Sequence, residues 1–112
     1  MAREREYILT ELFKITQSGN AAHFKSFVEM HFNVDDYWGH ARHLKSGNTV
    51  ACVASEFGHV SILSLCRDVD LEAANKDGKR PLHIAAQASH VECVEYLLSR
   101  HVDVDCLKLA DW

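Results

Sequence analysis

Asp77-Gly78-Lys79-Arg80-Pro81-Leu82-His83-Ile84-Ala85-Ala86-Gln87-Ala88-Ser89-His90 reads as a tight turn, one helix and the start of a second turn. Asp77-Gly78 is a turn pair in which Gly78 is free to take a positive φ. Pro81 suits the first turn of a helix, because its φ is already helical and its missing N–H costs nothing there. Leu82, Ala85 and Ala86 recur at helical spacing, and the two alanines let a neighbouring helix approach closely. Beyond Ser89-His90, Val91, Val94, Leu97 and Leu98 form a second apolar face, with Glu92 and Glu95 on its wet side. The unit is a helix–turn–helix.

It recurs. Gly47-Asn48-Thr49-Val50-Ala51-Cys52-Val53-Ala54-Ser55-Glu56-Phe57-Gly58-His59 matches it position by position, with Thr49 and Arg80, Ala54 and Ala85, and His59 and His90 each 31 residues apart. Leu71-Glu72-Ala73 pairs with Val104-Asp105-Cys106 at a separation of 33, so the segment after Cys66-Arg67 reads as two residues short. Leu12-Phe13-Lys14-Ile15 and the run from Gly19 to Val28 repeat the pattern more loosely, as a terminal repeat with one neighbour should.

A period near 33 residues with this turn–helix–turn–helix content resembles the ankyrin repeat family. The resemblance covers about residues 7–112. It implies an all-α, ankyrin-repeat α-solenoid in which β-turn tips join helix pairs. The expected organisation is a capping helix pair over 1–30, an extended loop over 31–45, repeats over 46–75 and 76–106, and an interrupted repeat from 107 to 112. Leu107-Lys108-Leu109-Ala110-Asp111-Trp112 aligns with Ala74-Asn75-Lys76-Asp77-Gly78-Lys79, where a new helix should follow. The array is therefore expected to be truncated at its C-terminal end, with the outer face of the 81–100 pair uncapped.

Several positions depart from the family pattern. Arg80 stands where the family has a helix-capping threonine, a role Thr49 keeps in the earlier repeat. Ser89 and His101 stand where it has glycine, at left-handed positions that cost another residue about 1 kcal/mol. Cys52 replaces the buried histidine that His83 supplies in the next repeat.

Composition is that of an ordinary globular chain of one small domain, with 25% charged and 47% hydrophobic residues among 112. A net charge of −4 argues against a phosphate-binding surface. Met1-Ala2-Arg3-Glu4-Arg5-Glu6 has no apolar signal core, and no run reaches membrane-spanning length. An intracellular location, cytoplasmic and extending to the nucleus, is expected. Cys52, Cys66, Cys93 and Cys106 form no C-x-x-C pair and read as reduced, buried thiols.

Catalytic patterns are missing: there is no G-x-S-x-G elbow and no phosphate-cradling glycine loop, so no enzyme is expected and no cofactor. His40-x-x-His43 with His31, Asp35 or Asp36 is the remaining zinc alternative, without a cysteine pair to support it. Tyr37 and Trp38, in the long inter-repeat segment, are expected to pack over the edge of the stack.

The family resemblance implies protein–protein contacts at the turn tips and at the exposed end of each first helix. Carried over position by position, these are Lys45, Ser46, Asn48, Glu56 and Phe57, then Lys76, Asp77, Lys79, Gln87 and Ala88, with Arg100 closing the second helix and Trp112 at a further turn tip. Exposed Phe57 and Trp112 near an arginine would resemble a hot spot; Phe57 folded onto a neighbouring helix is the plainer reading. Lys45, Lys76 and Lys79 form either a strip for an acidic partner or a solvated turn.

Lys79-Arg80-Pro81-Leu82-His83, Val104-Asp105-Cys106-Leu107-Lys108 and Ala110-Asp111-Trp112 resemble more specifically the N-terminal part of a longer ankyrin-only member of the family. That resemblance implies alanyl-tRNA synthetase as partner and a role as its accessory in limiting serine mischarging. The alternative is a fragment with little binding of its own, self-associating through its uncapped end.

Overall fold

The computed structural model describes residues 2–103, with side chains from residue 4 onward. Trp112, Cys106 and the expected interrupted repeat over 107–112 lie outside the described residues. Six α-helices follow in order: α1 Ala2–Ser18, α2 Ala21–His31, α3 Val50–Phe57, α4 Val60–Leu63, α5 Pro81–Gln87 and α6 Val91–Ser99. Short 3-10 turns at Trp38–His40 and Asp68–Glu72 precede the two turn tips. Among the described residues there is no strand, and no helix is long and apolar enough to cross a membrane.

The helices pack as three pairs, α1 with α2, α3 with α4 and α5 with α6. Stacking places α1, α3 and α5 in one row and α2, α4 and α6 in a second. The fold is thus the all-α stack of helix–turn–helix repeats. Its middle helix shows why the pattern works. Val50 to Ser55 are all buried, because α3 lies between α1 and α5 and has no wet face to spare. Leu12, Phe24, Ile62, Leu63, Leu71, Leu82 and Leu97 complete a core that runs through all three pairs.

Each pair is closed by the same local chemistry. The first helices end in left-handed residues, Gly19 at φ 77°, Gly58 at 78° and Ser89 at 63°. His101, after α6, is likewise left-handed at φ 60°. A Cβ on Gly19 would come within 2.5 Å of the His59 ring, and one on Gly58 within 2.7 Å of the His90 ring. Those histidines use the space: His59 Nε2 meets the Gln17 carbonyl at 2.7 Å and His90 Nε2 meets the Glu56 carbonyl at 2.9 Å. Each turn histidine thereby ties its repeat to the helix before it.

Helix starts differ as the sequence requires. Asn20 accepts from the His23 amide at 3.0 Å and Thr49 from the Cys52 amide at 3.3 Å. Arg80 makes no side-chain cap, and α5 starts instead on Pro81. The Arg80 guanidinium turns to Glu72 at 3.1 Å and Asp103 at 3.6 Å. The segment after Cys66-Arg67, read as two residues short, follows a helix that is itself shorter: α4 has four residues where α6 has nine. Leu65 and Cys66 then close it with i→i+3 bonds to Ile62 and Leu63.

The long inter-repeat segment is ordered by side chains. His31 closes α2, and Trp38–His40 forms a 3-10 turn within the loop. Asn33 Oδ1 accepts from the amides of Asp35 and Asp36, both at 2.9 Å, and Arg5 grips the Asp36 carboxylate by two bonds of 2.9 and 3.1 Å. Trp38 packs edge-on against Phe24 at 4.9 Å, and the Tyr37 hydroxyl donates to Asp70 at 2.5 Å. Both aromatics are half-buried against the stack.

Candidate functional site

Two turn tips and the ends of two helices form a concavity that gathers several of the sequence candidates. In the second tip, Asn75 Oδ1 accepts from the amides of Asp77 at 2.9 Å and Lys79 at 3.0 Å, while Gly78 at φ 77° turns the chain back. The first tip has no asparagine at that point. His43 substitutes for it: Nδ1 faces the amides of Lys45 at 3.2 Å and Ser46 at 3.4 Å. An accepting Nδ1 places the proton of the neutral ring on Nε2.

The tips are bonded to one another. The Lys76 amide donates to the Ser46 carbonyl at 3.1 Å, and Asn75 Nδ2 donates to Asn48 Oδ1 at 2.8 Å. Arg42 Nη1 donates to the carbonyls of Gly47 at 3.0 Å and Ala74 at 2.7 Å, one on each tip. The turns are therefore held as a continuous wall.

Between this wall and the ends of α3 and α5 lies a hollow of about 370 Å³. Ser46, Asn48, Asp77 and Lys79 line it from the turns, and Glu56, Gln87 and Ala88 from the helices. All seven are positions expected from the sequence. Asn75 and Ile84 also line it and were not anticipated; Asn75 is a turn residue whose second role follows only from its neighbour Asn48.

Other candidates fall elsewhere. Lys45 lines a separate depression of about 190 Å³ against α1, beside Leu9, Phe13 and His43. Lys76 Nζ donates to the Leu44 carbonyl at 3.0 Å and Lys79 Nζ to Gln87 at 3.2 Å, so two of the three lysines are already engaged within the chain. Phe57 is 43% exposed and stacks on His59, with centroids 6.4 Å apart. Arg100 pairs with Asp68 at 2.7 Å, on the 3-10 turn before the second tip rather than in the hollow. Trp112 lies outside the described residues.

His83, buried on α5, is held below the usual histidine range, first by burial and then by the charge of Lys79. The zinc alternative is not assembled. His43 Nδ1 serves the turn, Asp36 is gripped by Arg5, His31 packs against Phe27 and His40 against Tyr37. No three metal-ligating side chains gather among the described residues.

Comparison with known proteins agrees with this architecture. A family model described as ankyrin repeats, in three copies, matches residues 10–108. The chain is 39% identical over 57 residues to the NF-kappa-B inhibitor cactus of Drosophila melanogaster, a match covering 45% of this chain and 11% of that protein. Cactus of Drosophila yakuba gives the same identity with 12% of its length covered. The photoreceptor ankyrin repeat protein of Homo sapiens is 38% identical over 61 residues, covering 54% of this chain and 14% of that protein. The chain thus matches only a small part of each relative's length. With the stacked helix pairs, the bonded turn tips and a family match spanning nearly all of it, the chain belongs to the ankyrin repeat family.

Proposed function

We propose that the hollow between the turn tips and α3/α5 is a protein-docking surface, and that the chain acts as an interaction scaffold without chemistry of its own. Ankyrin repeats are typically non-catalytic interaction modules. The observation that carries the assignment is the convergence of Asn48, Glu56, Asp77, Lys79 and Gln87 on one concavity of about 370 Å³. A wall cross-linked by Arg42, Asn75 and Lys76 is preorganised, so little ordering entropy opposes binding. Phe57 is exposed at the end of α3 and offers apolar area beside it.

The partner to test first is alanyl-tRNA synthetase, with the chain as an intracellular accessory that limits serine mischarging. This reading rests on the resemblance of Lys79 to His83, Val104 to Lys108 and Ala110 to Trp112 to the N-terminal part of ankyrin repeat domain-containing protein sixteen. Purified synthetase should bind the chain saturably, and the double variant Glu56→Lys, Gln87→Arg should weaken binding at least about tenfold. No binding by the folded wild-type chain would remove the synthetase as partner. Undiminished binding by the folded double variant would remove the hollow as its site.

A further inference from the structure

A second surface lies away from the turn tips, where the long inter-repeat segment meets α2. Val28, Phe32, Tyr37, Trp38 and Arg67 line a shallow, mostly apolar groove of about 320 Å³, with Glu29 on its α2 side. Its loop is tightly held, through Asn33, the Arg5–Asp36 pair and the Tyr37–Asp70 bond. Yet it presents Val34 88% exposed. An apolar groove beside a loop already fixed in place is preorganised for contact.

Arg67 supplies the polar element. Its guanidinium carbon sits 3.7 Å from the centre of the Tyr37 ring. The other arginines with described side chains are occupied: Arg5 by Asp36, Arg80 by Glu72 and Asp103, Arg100 by Asp68, and Arg42 by two carbonyls. Arg67 makes no ion pair and no guanidinium hydrogen bond among the described residues, and it is exposed. A guanidinium held over an aromatic ring still has N–H groups for a two-pronged carboxylate contact. Glu29 disfavours a carboxylate on the α2 side and so directs it to the Arg67 end.

We infer that this groove docks a partner protein segment in which apolar side chains are followed by a carboxylate. The apolar residues lie over Phe32, Trp38 and Val34, and the carboxylate takes the Arg67 fork. The surface is distinct from the turn-tip hollow and shares no residue with it.

The test uses the full chain and two peptides, N-acetylated and C-amidated: two leucines followed by glutamate, and the same with glutamine. In amide and indole NMR spectra, the glutamate peptide should saturably shift Trp38, Tyr37 and Phe32, and bind about tenfold more tightly than its glutamine twin. Arg67→Gln should abolish that discrimination. Its fold should persist, because the side chain is exposed and only the Arg67 backbone amide bonds to Asp70. The salt dependence of the wild-type preference is a second readout that needs no variant. Equal affinity for the two peptides, no saturable shift, or shifts confined to the turn-tip hollow would overturn the inference. Concentration-dependent shifts of the same resonances without peptide would assign the face to a second copy of the chain, and overturn it too.

Discussion

The Tyr37 hydroxyl donates to Asp70 Oδ2 at 2.5 Å, joining the 3-10 turn regions of successive repeats across 33 residues of chain. Asp70 is buried at 3% exposure and also accepts the Arg67 amide at 3.0 Å. Tyr37→Phe strips a charged acceptor of one of its two donors and should cost about 1.5–3 kcal/mol. Urea unfolding of Tyr37→Phe, Asp70→Asn and the pair measures the coupling in a double-mutant cycle; additive losses would show that the bond contributes nothing beyond packing.

Ser89 holds φ 63° at the position where Gly58 holds 78°. Ser89→Gly should therefore stabilise the fold by about 1 kcal/mol, raising Tm by about 4–8 °C for a domain of this size. Gly58→Ala should act in the opposite direction and by more, since its Cβ would also meet His90. Calorimetry of both variants checks the pair of signs.

Ser55 is fully buried on α3, and its hydroxyl has no hydrogen-bond partner among the described residues. The equivalent position in the next repeat is Ala86, 31 residues on. Removing the hydroxyl relieves an uncompensated desolvation, so Ser55→Ala should stabilise by about 1 kcal/mol. A lower urea midpoint would reveal a partner for the hydroxyl.

Burial pushes the pKa of the Cys52, Cys66 and Cys93 thiols and of the Tyr37 phenol up, with Asp70 adding to the shift at Cys66 and Tyr37 and Glu92 at Cys93. The folded state thus holds these protons more tightly than the unfolded chain does. Their contribution is complete below the unfolded values and is lost as pH rises, so stability should fall from about pH 8.5 for the thiols and about pH 10 for Tyr37. Urea midpoints at pH 7, 9 and 10.5 test this, and Cys66→Ala should flatten the alkaline decline. The same burial predicts that these three thiols react with a disulfide reagent only after unfolding.

Much of the architecture is legible in single residues. Asp77-Gly78, Pro81, Thr49 and Gly58 mark helix boundaries because turns, caps and left-handed stops are decided within a few residues of chain. Ser89 and His101 stand out for the same reason, and both adopt the left-handed backbone. The 31–45 segment was legible as a long loop whose Tyr37 and Trp38 pack over the edge of the stack, but what holds it was not. Its order depends on Arg5 and Asp70, which are far from it in sequence. The site followed the same division. Turn-tip positions could be named from the pattern, whereas the engagement of Lys76 and Lys79 and the departure of Arg100 to Asp68 depend on contacts between repeats.

The repeat, its helical content and most helix ends are written in the residues themselves, because helical spacing and turn chemistry are local and recur with the period. Only the stacking of the repeats makes His43 stand in for an asparagine, lets two turn tips and two helix ends enclose one hollow, and leaves Arg67 without an ion pair among the described residues. Those outcomes depend on which residues about 30 apart in the chain meet when the repeats stack, and on which charges find partners first. No local pattern records that competition.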